Sequence, residues 1–105
     1  MKDEALADLL GFLGIVNIHE NDVFNTYSLK PHSKMSYIAN EIVTMRFVAE
    51  YIEIECLQQG FPLRLSYRDN KYICIVEKSW ITVENQNLNR AIIEACALTL
   101  EGTMK

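Results

Sequence analysis

Few residues in this chain could do chemistry. The only histidines are His19 and His32, and the three cysteines are Cys56, Cys74 and Cys96. A zinc site needs closely spaced Cys or His pairs. The cysteines lie 18 and 22 residues apart with no CxxC, so we expect no metal and read all three as buried core thiols. A Cys-His nucleophile pair would need Cys74 to leave the core face. No GxSxG elbow offers a serine nucleophile. The segment Gly11-Phe12-Leu13-Gly14 ends a helical stretch instead of opening one after a strand, and it lacks the lysine of a phosphate loop. Glu41, Glu50 and Glu53 are first of all the solvated face of an amphipathic helix. We therefore expect no catalytic residues, no cofactor and no enzyme.

Binding chemistry has better material. Charge is uneven: residues 41–59 carry net -3 and residues 60–80 net +2, within a chain total of -4. Arg64, Arg68 and Lys71 fall on one face of a hairpin beside Ile73 and Ile75. A basic face with aromatics nearby can hold phosphates or a single strand. Three cations in an acidic domain make a slight phosphate footprint, so direct nucleic-acid binding is not expected. A basic rim around two isoleucines is also what a protein contact needs. We take Arg64, Arg68, Lys71, Ile73 and Ile75, with Glu50 and Glu53 on the acidic helix, as the candidate partner-binding residues.

A chain of 105 residues that is 50% hydrophobic with four Gly and two Pro excludes disorder and fits one domain, residues 1–105. No uncharged apolar run approaches the roughly 18 residues of a membrane span. The greasy stretch Leu6 to Ile18 follows Asp3-Glu4 and contains Asp8, so it is no secretory signal. Three isolated cysteines suit a reducing compartment, and a cytoplasmic location is expected.

Residues 3–13 read as a short helix capped by Asp3, with Leu6, Leu9, Leu10 and Leu13 on one face and Gly14 as the stop. Ile15 to His19 and Val23 to Leu29 form a hairpin joined by Glu20-Asn21-Asp22. Leu29 to Lys34, with Pro31, is a loop. A long helix then starts at Ser33 or Ser36 and runs to about Gln59, before Gly60 and Pro62. Its inner stripe is Ile38, Ile42, Met45, Ala49, Ile52 and Cys56.

Phe61 to Lys78 alternates around Asp69-Asn70, which predicts a two-residue turn. Arg68 then opposes Lys71, Tyr67 opposes Tyr72, Leu65 faces Cys74 and Leu63 faces Val76, with all but the first pair on a core face. Trp80 to Glu84 adds a third strand. A last helix, capped by Asn85 or Asn87, spans Leu88 to Glu101 with Gly102 closing it. Its apolar residues nearly encircle it, so it is buried on more than one side. The fold expected is α+β: a small, mainly antiparallel sheet of three to five strands, packed by the long central and C-terminal helices, with a short N-terminal helix.

The helix Glu41 to Gly60, the hairpin Phe61 to Glu77 and the terminal Asn87-Leu-Asn-Arg-Ala-Ile-Ile-Glu-Ala-Cys-Ala-Leu-Thr-Leu resemble small phage-encoded αβα-sandwich proteins, over roughly residues 30–101. The strand pair Ile15 to Leu29 departs from that pattern. The resemblance implies a small inhibitor of host defence, such as an anti-CRISPR protein, acting in the host cytoplasm on a larger host protein or nucleoprotein complex. From the residues we expect an interaction protein, working as a homodimer by steric occlusion. The alternative is a nucleotide or signalling-ligand binder, with its site on the basic sheet face or at a dimer interface.

Overall fold

A computed structural model describes residues 1–17, 25–29, 36–39 and 41–104. His19, His32, the Glu20-Asn21-Asp22 connection and the Pro31 loop lie outside that set, as do the side chains of residues 3, 7 and 16–44. The fold is α+β, and its strands divide between two three-stranded antiparallel sheets. The chain separates into two compact units, Met1–Phe47 and Val48–Lys105. No helix among the described residues is long and apolar enough to cross a membrane.

The first unit opens with helix α1, Asp3–Phe12. Leu6, Leu9 and Leu10 are buried, as is Ile15 on the strand that follows. Gly14, with φ +87°, ends the helix in a conformation that favours glycine. The capping expectation needs correction: Lys2 holds the N-cap position without a side-chain bond, and Asp3 is the first helical residue. Strands β1 (Ile15–Asn17), β2 (Asn25–Leu29) and β3 (Ser36–Ala39) make the sheet in that order. Ile15 opposes Leu29, and Tyr27 opposes Tyr37.

Strand β3 overturns the expected helix start. Residues 36–39 pair with β2 and helix α2 begins at Glu41, spanning Glu41–Gln58. Ile38 continues the helical spacing of Ile42 and Met45. However, a Tyr-Ile pair is also good strand material, and cross-strand partners decide such cases.

In the second unit α2 buries Val48, Ala49, Ile52 and Cys56, while Met45, on the part of the helix in the first unit, is half-buried. Its end is a Schellman motif: the Phe61 N–H donates to the Cys56 carbonyl at 3.0 Å and Gly60 N–H to Leu57 at 3.0 Å. Gly60 sits at φ +87°. Strands β4 (Leu63–Arg68), β5 (Lys71–Val76) and β6 (Ile81–Asn85) follow as a meander. Arg68 opposes Lys71, Tyr67 Tyr72, Leu65 Cys74 and Leu63 Val76, the register read from the Asp-Asn turn. Asp69 and Asn70 both have positive φ, 54° and 62°, as a type I′ turn requires.

Helix α3, Leu88–Thr103, is capped by the Asn87 side chain, which accepts from the Arg90 N–H at 3.1 Å. It runs through Gly102 instead of ending there. Residues 91–97 are buried without a break, so the helix is covered on more than one side. It packs on β5 and β6, and the Cys56 thiol of α2 donates to the Cys96 carbonyl at 3.8 Å. Glu94 is buried too, with the Arg90 guanidinium one turn back at 3.1 Å, a pairing that a buried carboxylate needs.

The Schellman stop makes a direct prediction. An added Cβ at Gly60 would find ordinary contact, 3.5 Å from the Lys78 ammonium, so Gly60→Ala suffers from φ alone. It should cost about 1 kcal/mol, a loss of several degrees in melting temperature on thermal unfolding.

Candidate functional site

The outer face of the second sheet is built by alternation. Cys74 and Val76 of β5 are fully buried on the inner face, which turns Ile73 and Ile75 outward, half-covered. Pairing then sets their neighbours. Ile73 lies between Ser66 and Glu84, and Ile75 between Arg64 and Thr82. Arg64, Ser66, Arg68, Lys71, Thr82 and Glu84 are all exposed.

Five of the candidate residues thus share one face: Arg64, Arg68, Lys71, Ile73 and Ile75. Glu50 and Glu53 do not join them, because they belong to α2, whose Cys56 reaches the opposite side of the sheet. Glu50 is exposed and Glu53 half-buried. Arg64 is ion-paired with Glu77 at the edge of the face. Arg68 and Lys71, directly opposed beside the turn, are like charges facing each other, which is destabilising.

Cys56, Cys74 and Cys96 are all completely buried and bear on one another. Burial first, then the Glu53 carboxylate, pushes the Cys74 thiol up to about 11. The thiol of Cys96 is also raised, chiefly by its hydrogen bond with Cys56 and then by burial. Held protonated, Cys74 and Cys96 are poor nucleophiles. No group of His, Cys, Asp and Glu among the described residues could hold a metal.

Two features escaped the sequence reading. Leu65 and Tyr67, expected in the core, are 47% and 60% exposed. Their register is right but no element of this unit covers them: α3 follows β6 after two residues and packs back over β6 and β5. The brevity of that connection was the available signal. Tyr67 instead leans on Tyr72, ring centroids 4.9 Å apart. The second feature is Trp80, which precedes the third strand instead of opening it. It is 65% exposed at φ +57°. The turn carrying it is anchored by Ser79, whose hydroxyl meets Thr99 of α3 at 3.0 Å. No local signal marks that conformation.

No protein-family model, curated protein or solved structure matches this chain.

Two outcomes follow from this geometry. A thiol whose folded pKa exceeds its unfolded value stabilises the fold fully below the unfolded value, and that contribution is lost as pH rises. Unfolding free energy should therefore fall between about pH 9 and about pH 11, and urea titrations on Cys74→Ala should show a shallower fall. Trp80→Gly frees a left-handed position from its side chain. It should raise stability by up to about 1 kcal/mol, measured by the same titrations.

Proposed function

We propose that this chain works by binding: it docks its outer sheet face on a larger protein and blocks it, without catalysing a reaction. One observation carries the reading, the pair Ile73 and Ile75 side by side on an open face rimmed by Arg64, Arg68 and Lys71. Apolar contacts at the centre with polar groups at the rim are the anatomy of a protein interface. The acidic helix with Glu50 and Glu53 is a separate surface, able to compete for a basic channel of the partner. The inhibitor class implied by the resemblance, a host-defence blocker such as an anti-CRISPR protein, fits this mode of action. We propose the blocker as a homodimer acting in the host cytoplasm.

The alternative, a nucleotide gripped by Arg64, Arg68 and Lys71, draws on the adjacency of Arg68 and Lys71. The Arg64–Glu77 ion pair weighs against it, since a phosphate would have to displace Glu77.

Ile73→Glu tests the reading, placing a carboxylate at the centre of the face. Immobilised wild-type protein should retain a defined partner from host lysate, and Ile73→Glu should lose it with its circular dichroism unchanged. Equal retention by the variant would remove this face from contention. Thermal-shift titrations with nucleotides should show no stabilisation, and a saturable rise in melting temperature would favour the alternative.

A further inference from the structure

The hydrogen-bond phase of the β4–β5 hairpin decides what the open edge of β4 presents. Residues flanking a two-residue type I′ turn form a hydrogen-bonded pair, here Arg68 and Lys71. The Glu77 N–H donates to the Pro62 carbonyl at 2.8 Å, which puts the far end of the ladder in the same phase. The even-numbered residues of β4 therefore spend their backbone groups on β5. Leu63, Leu65 and Tyr67 aim theirs outward, at the edge of the sheet. The same three residues carry the inner-face side chains, with Leu65 and Tyr67 largely uncovered.

We propose that this edge pairs with the same edge of a second copy, antiparallel, about a two-fold axis at Leu65. The pairing joins the two three-stranded sheets into one of six strands. It deepens the homodimer of the proposed function by giving it an interface, and rests on that reading for its stoichiometry alone.

The sequence of the strand selects the register. With the axis at Leu65, Leu65 meets Leu65 of the second copy, Leu63 meets Tyr67, and Arg64 meets Ser66. The three outward-pointing residues then form hydrogen-bonded pairs throughout. Moving the axis to Ser66 sets Arg64 against Arg68, and moving it to Arg64 sets that residue against itself; like charges directly opposed are destabilising. An axis at Tyr67 sets Leu65 against Asp69. An axis at Leu63 sets Leu65 against Phe61, which lies outside the strand and whose N–H already donates to the Cys56 carbonyl. The axis at Leu65 is free of like charge, apolar along its inner face and contained within the strand. Strand β4 has no internal proline to blunt its edge, unlike protected edges. The opposite edge strand, β6, is shorter and carries Glu84 among its outward positions. A shared strand edge repeated by a two-fold axis is self-complementary and closed, the commonest oligomer symmetry.

The experiment is sedimentation or light scattering over a dilution series, with engineered cross-links. Wild type should show twice the chain mass, dissociating on dilution. Leu65→Arg opposes two guanidinium groups at the axis and should weaken association at least about tenfold. Ile54→Arg, at an exposed site on α2, should leave it unchanged. Leu65→Cys places two thiols at a separation near 5.5 Å between Cα atoms, within disulfide reach. Glutathione disulfide should then give a covalent dimer, two thiols being oxidised as the reagent leaves as two glutathione thiols. Tyr67→Cys should not cross-link, because its opposite number is Leu63.

A wild type that stays monomeric overturns the proposal, as does one whose edge accepts a strand from another protein instead. So does a dimer indifferent to Leu65→Arg, or a Tyr67→Cys dimer in place of a Leu65→Cys one. If Leu65→Arg fails to fold, the two cysteine variants decide. A monomer that still retains its partner through Ile73 overturns the edge pairing and leaves the face reading standing.

Discussion

The two-residue turn at Asp69 and Asn70 holds the rest of the second unit to its arrangement. Both residues adopt left-handed backbone, φ 54° and 62°, which Asp and Asn tolerate better than other side-chain-bearing residues. A turn of this hand matches the twist of the strands it joins, and its length admits one register. Six residues further on, Glu77 is still in phase with Pro62. A slip of β5 by one residue would turn Cys74 and Val76 to solvent. The thiol cluster, the basic face and the polarity of the β4 edge all descend from that single phase.

Helix width explains what the turn does not. A helix with its side chains is about 10 Å across and neighbouring strands lie about 4.8 Å apart. One helix therefore covers two strands well. Helix α3 covers β5 and β6, and its continuous burial from Ala91 to Ala97 leaves little of it to spare for β4. The price of a three-stranded sheet under one such helix is a strand with both faces open. The Tyr67–Tyr72 ring contact offsets part of that exposure, while Leu65 has no comparable shelter.

Much of this was legible in the residues because the signals were local. Alternation on either side of Asp-Asn located β4, β5 and their register, Gly60 marked the end of α2, and Asn85 and Asn87 bracketed the start of α3, of which Asn87 is the cap. Ala49, Ile52 and Cys56 came from helical spacing. What failed was what depends on neighbours. Residues 36–39 suit either a helix or a strand, and only pairing with β2 decides between them. Leu65 and Tyr67 have the pattern of core residues, yet burial requires a covering element, and alternation is silent about which strand a helix will reach. Five candidate residues share a face because period two dictates it, whereas Glu50 and Glu53 lie on another element, whose position no sequence period encodes.

The meander also has a kinetic side. The hairpin of β4 and β5 closes over two residues, and β6 follows after four, Glu77 to Trp80. Closing such loops takes little chain entropy, so this sheet is built from contacts near in sequence, the kind that form quickly. The contact between Cys56 and the Cys96 carbonyl spans 40 residues, and it closes around a sheet whose strands are local. In this order of events the edge of β4 exists before the core beneath β5 is sealed. The chain thus presents an open strand edge already during assembly, before its core is complete.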